Sequence, residues 1–152
     1  MKLLTITVPC YNSEKYMRKC IDSLLPGGED VEILIVDDGS TDSSGQICDV
    51  LAAEIPGLRV LHQQNGGLAN ARNTGHGSGV NTGIEKASGL FFKVVDSDDW
   101  VLDTAYQTIL DTLRMFAGGD EVLDMLIANY VYEKEGEKRK KVIRYKYVLP
   151  EN

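Results

Sequence analysis

Five carboxylates stand in two tight groups, Asp37-Asp38-Gly39-Ser40 and Asp96-Ser97-Asp98-Asp99. Side chains alternate along an extended segment, so Asp96 and Asp98 project to one side, with Asp99 beside them. Like charges this close repel unless a cation lies between them. Mg²⁺ suits such a place, because it takes one or two carboxylates and keeps its other positions for water and substrate phosphates. A metal with few protein ligands, facing a phosphate, is a nucleotide-handling arrangement. The structural alternative is that Asp98 or Asp99 caps a following helix. At Asp37-Asp38-Gly39-Ser40 the two readings are more even. Asp-Gly makes a turn, and Ser40 or Thr41 makes a good cap. An acidic residue just past a strand of an α/β sheet is equally placed to accept hydrogen bonds from a ribose or base. Asp38-x-Ser40-x-Asp42 lacks the glycine and distal glutamate of an EF-hand loop.

Four apolar runs must position these groups: LLTITV (3–8), VEILIV (31–36), LRVLHQ (58–63) and LFFKVV (90–95). Each is strand-sized and rich in β-branched or aromatic residues. Helical patterns lie between them. The first begins at a Ser13 cap and carries Tyr16, Met17, Cys20, Ile21, Leu24 and Leu25 at helical spacing; the second begins at Thr41 or Asp42 and runs to Glu54. Alternating strands and helices predict an α/β fold with a mostly parallel sheet flanked by helices, whose ligands bind beyond the carboxyl ends of the strands. Both acidic groups fall at such ends. After Trp100 an amphipathic helix leads to two strands joined near Gly136, a C-terminal β-hairpin without evident chemistry. No linker composition interrupts the chain, so residues 1–152 read as one domain.

The chain has 152 residues and a net charge of −7, which argues against a nucleic-acid partner. The basic run Lys138-Arg139-Lys140-Lys141 is interleaved with Glu133, Glu135 and Glu137 and reads as a solvated hairpin tip. No apolar run reaches membrane-spanning length. Cys10, Cys20 and Cys48 have no metal-ligand spacing and read as small buried residues of a reducing compartment. With only His62 and His76 beside them, zinc is excluded as the expectation.

Taken in order, Val8-Pro9-Cys10-Tyr11-Asn12, Val36-Asp37-Asp38-Gly39-Ser40-Thr41-Asp42, Asn65-Gly66-Gly67 with Ala71-Arg72-Asn73, and Val95-Asp96-Ser97-Asp98-Asp99-Trp100 resemble the family 2 glycosyltransferases of the GT-A fold. The resemblance covers about the first hundred residues; each motif alone is weak and the ordered set is specific. It implies a Rossmann-like nucleotide-sugar-binding domain that transfers sugar from a nucleotide-diphosphate donor, expected to be a UDP-sugar, to an acceptor hydroxyl with inversion. It implies a donor site at Pro9, Tyr11, Asn12, Asp37, Asp38, Gly67, Arg72, Asp96 and Ser97. Tyr11 would stack on the base, Asp38 and Asp37 would bind uracil or ribose, and Arg72 would sit near base or phosphates. Asp96 would contact ribose or a metal-bound water, and Asp98 would ligate Mg²⁺ or Mn²⁺ at the diphosphate, the cation stabilising the leaving group. The implied setting is polysaccharide or cell-envelope glycan synthesis. The implied acceptor is a carbohydrate or lipid-linked molecule, with the protein cytoplasmic, peripheral at the membrane, or dimeric. A non-catalytic nucleotide-sugar-binding module is the alternative.

Two departures matter. GLANARNTG and GHGSGVNTG write nearly one phrase twice between Gly67 and Gly83, sharing Gly75. We expect the second copy, continuous with IEKAS, to occupy the family's helix and the first to be an inserted turn or loop, although glycines at 75, 77 and 79 weaken a helix. Inverting relatives also carry a downstream acidic motif, often Glu-Asp, that deprotonates the acceptor. No Glu-Asp pair follows Asp99, so no catalytic base is assigned, and the chain reads as the donor-binding part of a longer enzyme.

Overall fold

Strand β1 (Leu4–Cys10) is buried along its whole length, and its alternation assigns its two faces to different partners. Leu4, Ile6, Val8 and Cys10 enter a core shared with Met17, Cys20, Ile21 and Leu24 of α1 (Met17–Leu24), and with Cys48 and Leu51 of α2 (Ser44–Glu54). Tyr106, Leu110 and Leu113 of α4 (Asp103–Ala117) complete it. Thr5, Thr7 and Pro9 face the other way, toward α3 (His76–Lys86) and the turn that follows it. A strand covered on both sides must be a central one, and β1 pairs in parallel with both β2 (Val31–Asp37) and β4 (Phe91–Val94). β3 (Leu58–His62) extends the sheet in the order β3-β2-β1-β4. β5 (Tyr130–Tyr132) and β6 (Lys141–Ile143) form the separate antiparallel hairpin. The computed structural model describes residues 1–64, 76–133 and 140–145.

The fold class and all four sheet strands match the sequence expectation, with ends displaced by no more than two residues. Two local expectations change and a third is met. Helix α1 begins at Met17 rather than beside Ser13, because the Ser13 carbonyl accepts the Tyr16 and Met17 N–H groups in a preceding turn while its hydroxyl is used elsewhere. Helix α2 begins at Ser44, with Asp42 Oδ1 accepting the Ser44 N–H at 2.9 Å. Helix α3 contains Gly77, Gly79 and Gly83 without a break. A Cβ on Gly79 would lie 3.1 Å from Pro9 Cβ, and one on Gly83 would overlap the Thr7 side chain. Four residues apart, these two glycines share one helix face and let α3 lie close on β1. The propensity cost expected of them is offset by that contact. The second copy of the doubled phrase is therefore helical from His76, as expected; the first copy, with Gly67 and Arg72, lies outside the described residues.

Beneath α3, beside the buried Leu34 and Val36, the sheet face also carries a polar cluster. Glu32 is 4% exposed and accepts hydrogen bonds from Thr5 Oγ1 (2.7 Å), Arg59 Nη1 (2.6 Å) and Ser88 N–H (2.9 Å). Thr5 Oγ1 in turn accepts the Gly89 N–H at 2.8 Å, fixing the turn between α3 and β4. Burial pushes the Glu32 carboxyl up, but the hydrogen bonds from Thr5, Arg59 and Ser88 outweigh it and hold the pKa down to about 2. At the hairpin, Lys140 pairs with Glu133 at 2.9 Å; the expected solvated tip, with Glu135, Glu137, Lys138 and Arg139, lies outside the described residues.

Candidate functional site

Because β1 to β4 all run in one direction, their carboxyl ends share one edge of the sheet. That edge gathers Pro9 to Ser13, Asp37 to Asp42, His62 to Gln63, and Val95 to Asp99. Asn12 ties the first two segments together. Its backbone is left-handed (φ 51°), a conformation asparagine tolerates better than most residues. From it the side-chain Oδ1 accepts the Thr41 N–H (2.8 Å), the Thr41 hydroxyl (3.3 Å) and the Asp42 N–H (3.3 Å). The Asn12 N–H donates back to Ser40 Oγ at 3.1 Å. Gly39 supplies the positive φ (70°) that turns the chain directly after Asp38. Tyr11, beside Asn12, leaves 49% of its surface open.

The first segment is also tied to the acidic loop after β4. Ser13 and Ser97 share a hydroxyl hydrogen bond of 2.6 Å, both side chains buried, and the Ser13 N–H donates to Ser44 Oγ at 2.7 Å. Ser97 thus points into the protein while its neighbours Asp96 and Asp98 stay exposed; contrary to the sequence expectation the segment is a turn rather than an extended stretch, so the anchored Ser97 and not strand alternation leaves both aspartates outside. The Asp96 carbonyl accepts the Cys20 thiol at 3.6 Å, and the Asp99 N–H closes a turn onto the same carbonyl at 2.9 Å. The Lys19 ammonium lies 3.2 Å from the centre of the Trp100 ring, a cation–π contact that pins the end of the loop to α1.

The electrostatics of this loop register crowded negative charge. Local desolvation and then the charges of Asp98 and Asp96 raise the Asp99 pKa. Burial, then Asp99, Asp98 and Asp96, pushes the Cys20 thiol up to about 12. All donors here are hard oxygens, which suits Mg²⁺ or Mn²⁺. Among the described residues no three His, Cys, Asp or Glu side chains converge on one point. Two carboxylates, completed by phosphate oxygens and water, are what this loop can offer a cation.

Asp37 and Asp38 are both buried, at 4% and 3% exposure, yet face different partners. Asp37 Oδ1 accepts the Ser40 N–H (3.1 Å) and its Oδ2 lies 2.9 Å from His62 Nδ1. The other ring nitrogen of His62 lies 3.0 Å from Asp49 Oδ1 on α2. With a carboxylate on each nitrogen, the imidazolium is favoured. Hydrogen bonds to Asp37 and Asp49 raise the His62 pKa. Burial pushes the Asp37 carboxyl up, but the bonds from Ser40 and His62 outweigh it and hold it below the usual range. Asp38 Oδ1 instead accepts Gln63 Nε2 at 2.6 Å. The sequence marked neither His62, Gln63 nor Ser13 as a site residue: His62 and Gln63 stood out only by their place at a strand end, and Ser13 only as a helix cap.

Ordered segments of this kind at the carboxyl edge of a β3-β2-β1-β4 parallel sheet have a clear counterpart. The family model for glycosyl transferase family 2 matches residues 5–141. The chain belongs to that family. Glycosyltransferase GlyG of Streptococcus pneumoniae serotype 4 is 36% identical over 138 residues, which is 90% of this chain and 42% of GlyG. The minor teichoic acid biosynthesis protein GgaA of Bacillus subtilis is 34% identical over 140 residues, 88% of this chain and 29% of GgaA. This family 2 chain therefore spans less than half the length of either relative. Among solved structures, S. aureus TarS 1–349 in complex with UDP superposes with a TM-score of 0.61 at 28% identity, covering 77% of this chain and 33% of TarS. TarS 1–349 has also been solved with UDP-GlcNAc (TM-score 0.59, 29% identity). The fold of this chain is the GT-A fold. Among the described residues no helix is long and apolar enough to cross a membrane.

Proposed function

We propose that this family 2 chain binds a UDP-sugar at the carboxyl edge of its sheet and serves its transfer, with inversion, to a carbohydrate or lipid-linked acceptor in envelope polysaccharide synthesis. The observation that carries the reading is the pair of side-chain ties, Asn12 to Thr41 and Asp42, and Ser13 to Ser97. They hold the Tyr11 segment, the Asp38 turn and the Asp96–Asp98 loop against one another, although these segments are far apart in sequence.

In this reading the half-open ring of Tyr11 stacks on the base, and Asp38, an acceptor when ionised, takes the imide N–H of uracil. Pro9 and Asn12 shape the base pocket, and Asp37 holds the turn through Ser40 and His62. Asp96 reaches the ribose, and Asp98, with Asp96, would hold Mg²⁺ or Mn²⁺ against the diphosphate. When bound, the cation supplies charge neutralisation for the departing nucleoside diphosphate. Ser97 keeps the two aspartates aimed outward by anchoring the residue between them. Gly67 and Arg72 complete the proposed donor set. The TarS complexes with UDP and UDP-GlcNAc support this choice of donor. The setting that goes with it is the cytoplasmic side of the envelope, with the chain peripheral to the membrane. Residues 1–152 act in it as one donor-binding domain.

The test is a thermal-shift series with UDP, GDP and ADP in the presence of Mn²⁺. A nucleotide at one hundred times its Kd stabilises the folded chain by about 2.7 kcal/mol. UDP should shift the midpoint at lower concentration than GDP or ADP. Equal shifts with all three, or none with any, would contradict the reading.

A further inference from the structure

The last residue of β3 and the one after it grip the two consecutive aspartates at the end of β2 from opposite sides. His62 takes Asp37 and reaches on to Asp49 of α2. Gln63 takes Asp38 and reaches on to α3. Successive residues of an extended chain point to opposite faces, which is why the two grips lead to helices on opposite faces of the sheet.

The Gln63 grip is specific to an amide. Its Nε2 donates to Asp38 Oδ1 (2.6 Å) and to Ser78 Oγ (2.7 Å), and its Oε1 accepts the Thr82 hydroxyl (2.8 Å). Both donors and the acceptor are engaged, so the direction of the amide is fixed by its partners. Ser78 and Thr82 stand four residues apart on α3, next to Gly79 and Gly83, the glycines that bring that helix onto β1. The orientation of the nearly buried Asp38 carboxylate is thereby linked to the seating of α3.

We propose that Gln63 is a positioning residue for base recognition: it fixes the Asp38 carboxylate as an acceptor and so favours a base that presents an N–H there over one that presents a lone pair. At ring position 3 uracil presents N–H and cytosine a bare nitrogen, and beside it uracil carries the O4 acceptor where cytosine carries the N4 amino donor, so the two bases are inverted along the edge that would meet Asp38. This assignment rests on the donor-site reading above, in which Asp38 meets the base.

The test is calorimetric titration of the wild-type chain, Gln63→Leu, Gln63→Glu and Thr82→Val with UDP and CDP, both with Mn²⁺. Leucine keeps the bulk and removes all three hydrogen bonds. Glutamate keeps the shape and sets a carboxylate against Asp38. Valine at 82 leaves the Asp38 contact and removes one tether. The wild type is expected to prefer UDP over CDP at least tenfold. The preference should fall to threefold or less in both Gln63 variants and to an intermediate value in Thr82→Val. An unchanged UDP:CDP ratio in the Gln63 variants, or equal losses for both nucleotides, would overturn the assignment, since general support of the fold predicts equal losses. A wild type that binds neither nucleotide would overturn the donor reading, and this assignment with it; one that binds UDP while the ratio ignores Gln63 overturns the assignment alone.

Discussion

Asn12 holds two segments of the site together from a backbone conformation few residues accept, and the two contributions separate by substitution. Asn12→Gly keeps the left-handed conformation (φ 51°) and removes the side-chain acceptor. Asn12→Ala removes the acceptor and also places an ordinary side chain at positive φ. The lost bonds are one of 2.8 Å and two of 3.3 Å, all at an exposed loop. At the lower end of about 0.5–1.5 kcal/mol for each net hydrogen bond, the set contributes about 1–2 kcal/mol. Left-handed backbone costs a non-glycine residue about 1–2 kcal/mol. Glycine should therefore cost about 1–2 kcal/mol and alanine about 2–3 kcal/mol, alanine being the worse despite its lower chain entropy when unfolded. Urea denaturation followed by circular dichroism measures both, as shifts in midpoint at constant m. Glycine less stable than alanine, or alanine within about 0.5 kcal/mol of wild type, would refute the account of this loop.

Three further outcomes follow from the same structure. The Glu32 carboxyl, held down to about 2 from an ordinary 4.5, contributes stability that is complete above pH 4.5 and lost as pH falls toward 2. Its size is about 3 kcal/mol by linkage. Urea midpoints should show the gap between wild type and Glu32→Gln closing over that range; a gap independent of pH would contradict it. Gly83→Ala forces a Cβ into the Thr7 side chain and should cost about 1–3 kcal/mol by overpacking, whereas Gly77→Ala, where a Cβ meets nothing within 4 Å, should be neutral or stabilising; thermal midpoints compare the two. Ser97→Ala removes the buried tie to Ser13 and should weaken UDP binding severalfold with a stability loss of about 1 kcal/mol, read by calorimetry and urea titration together.

Much of this was legible in the chain because strand-sized apolar runs and turn residues are local signals. The positions of Asp37, Asp38, Asp96 and Asp98 at strand ends followed from those runs alone. What was not legible were contacts between distant segments. Ser13 carries the composition of a helix cap, but its hydroxyl bonds Ser97, 84 residues away, so the helix starts later than its sequence suggests. Asn12 reads as a turn residue, and only the fold shows its side chain holding Thr41 and Asp42. The glycines of the second phrase look unfavourable for a helix by propensity; Thr7 and Pro9 beneath them supply the reason for their presence. His62 and Gln63 lie in a strand pattern, where no spacing rule marks them, and acquire their roles by pairing with Asp37 and Asp38.

The central claim, a donor site that holds a nucleotide through the acidic loop after β4, is tested most directly by titrating the chain with UDP with and without Mn²⁺, in wild type and Asp98→Ala. The account predicts binding that Mn²⁺ strengthens at least tenfold in the wild type and a Mn²⁺ effect that disappears in Asp98→Ala. UDP binding that ignores Mn²⁺ in a folded wild type, or that keeps its full Mn²⁺ dependence in Asp98→Ala, would contradict it.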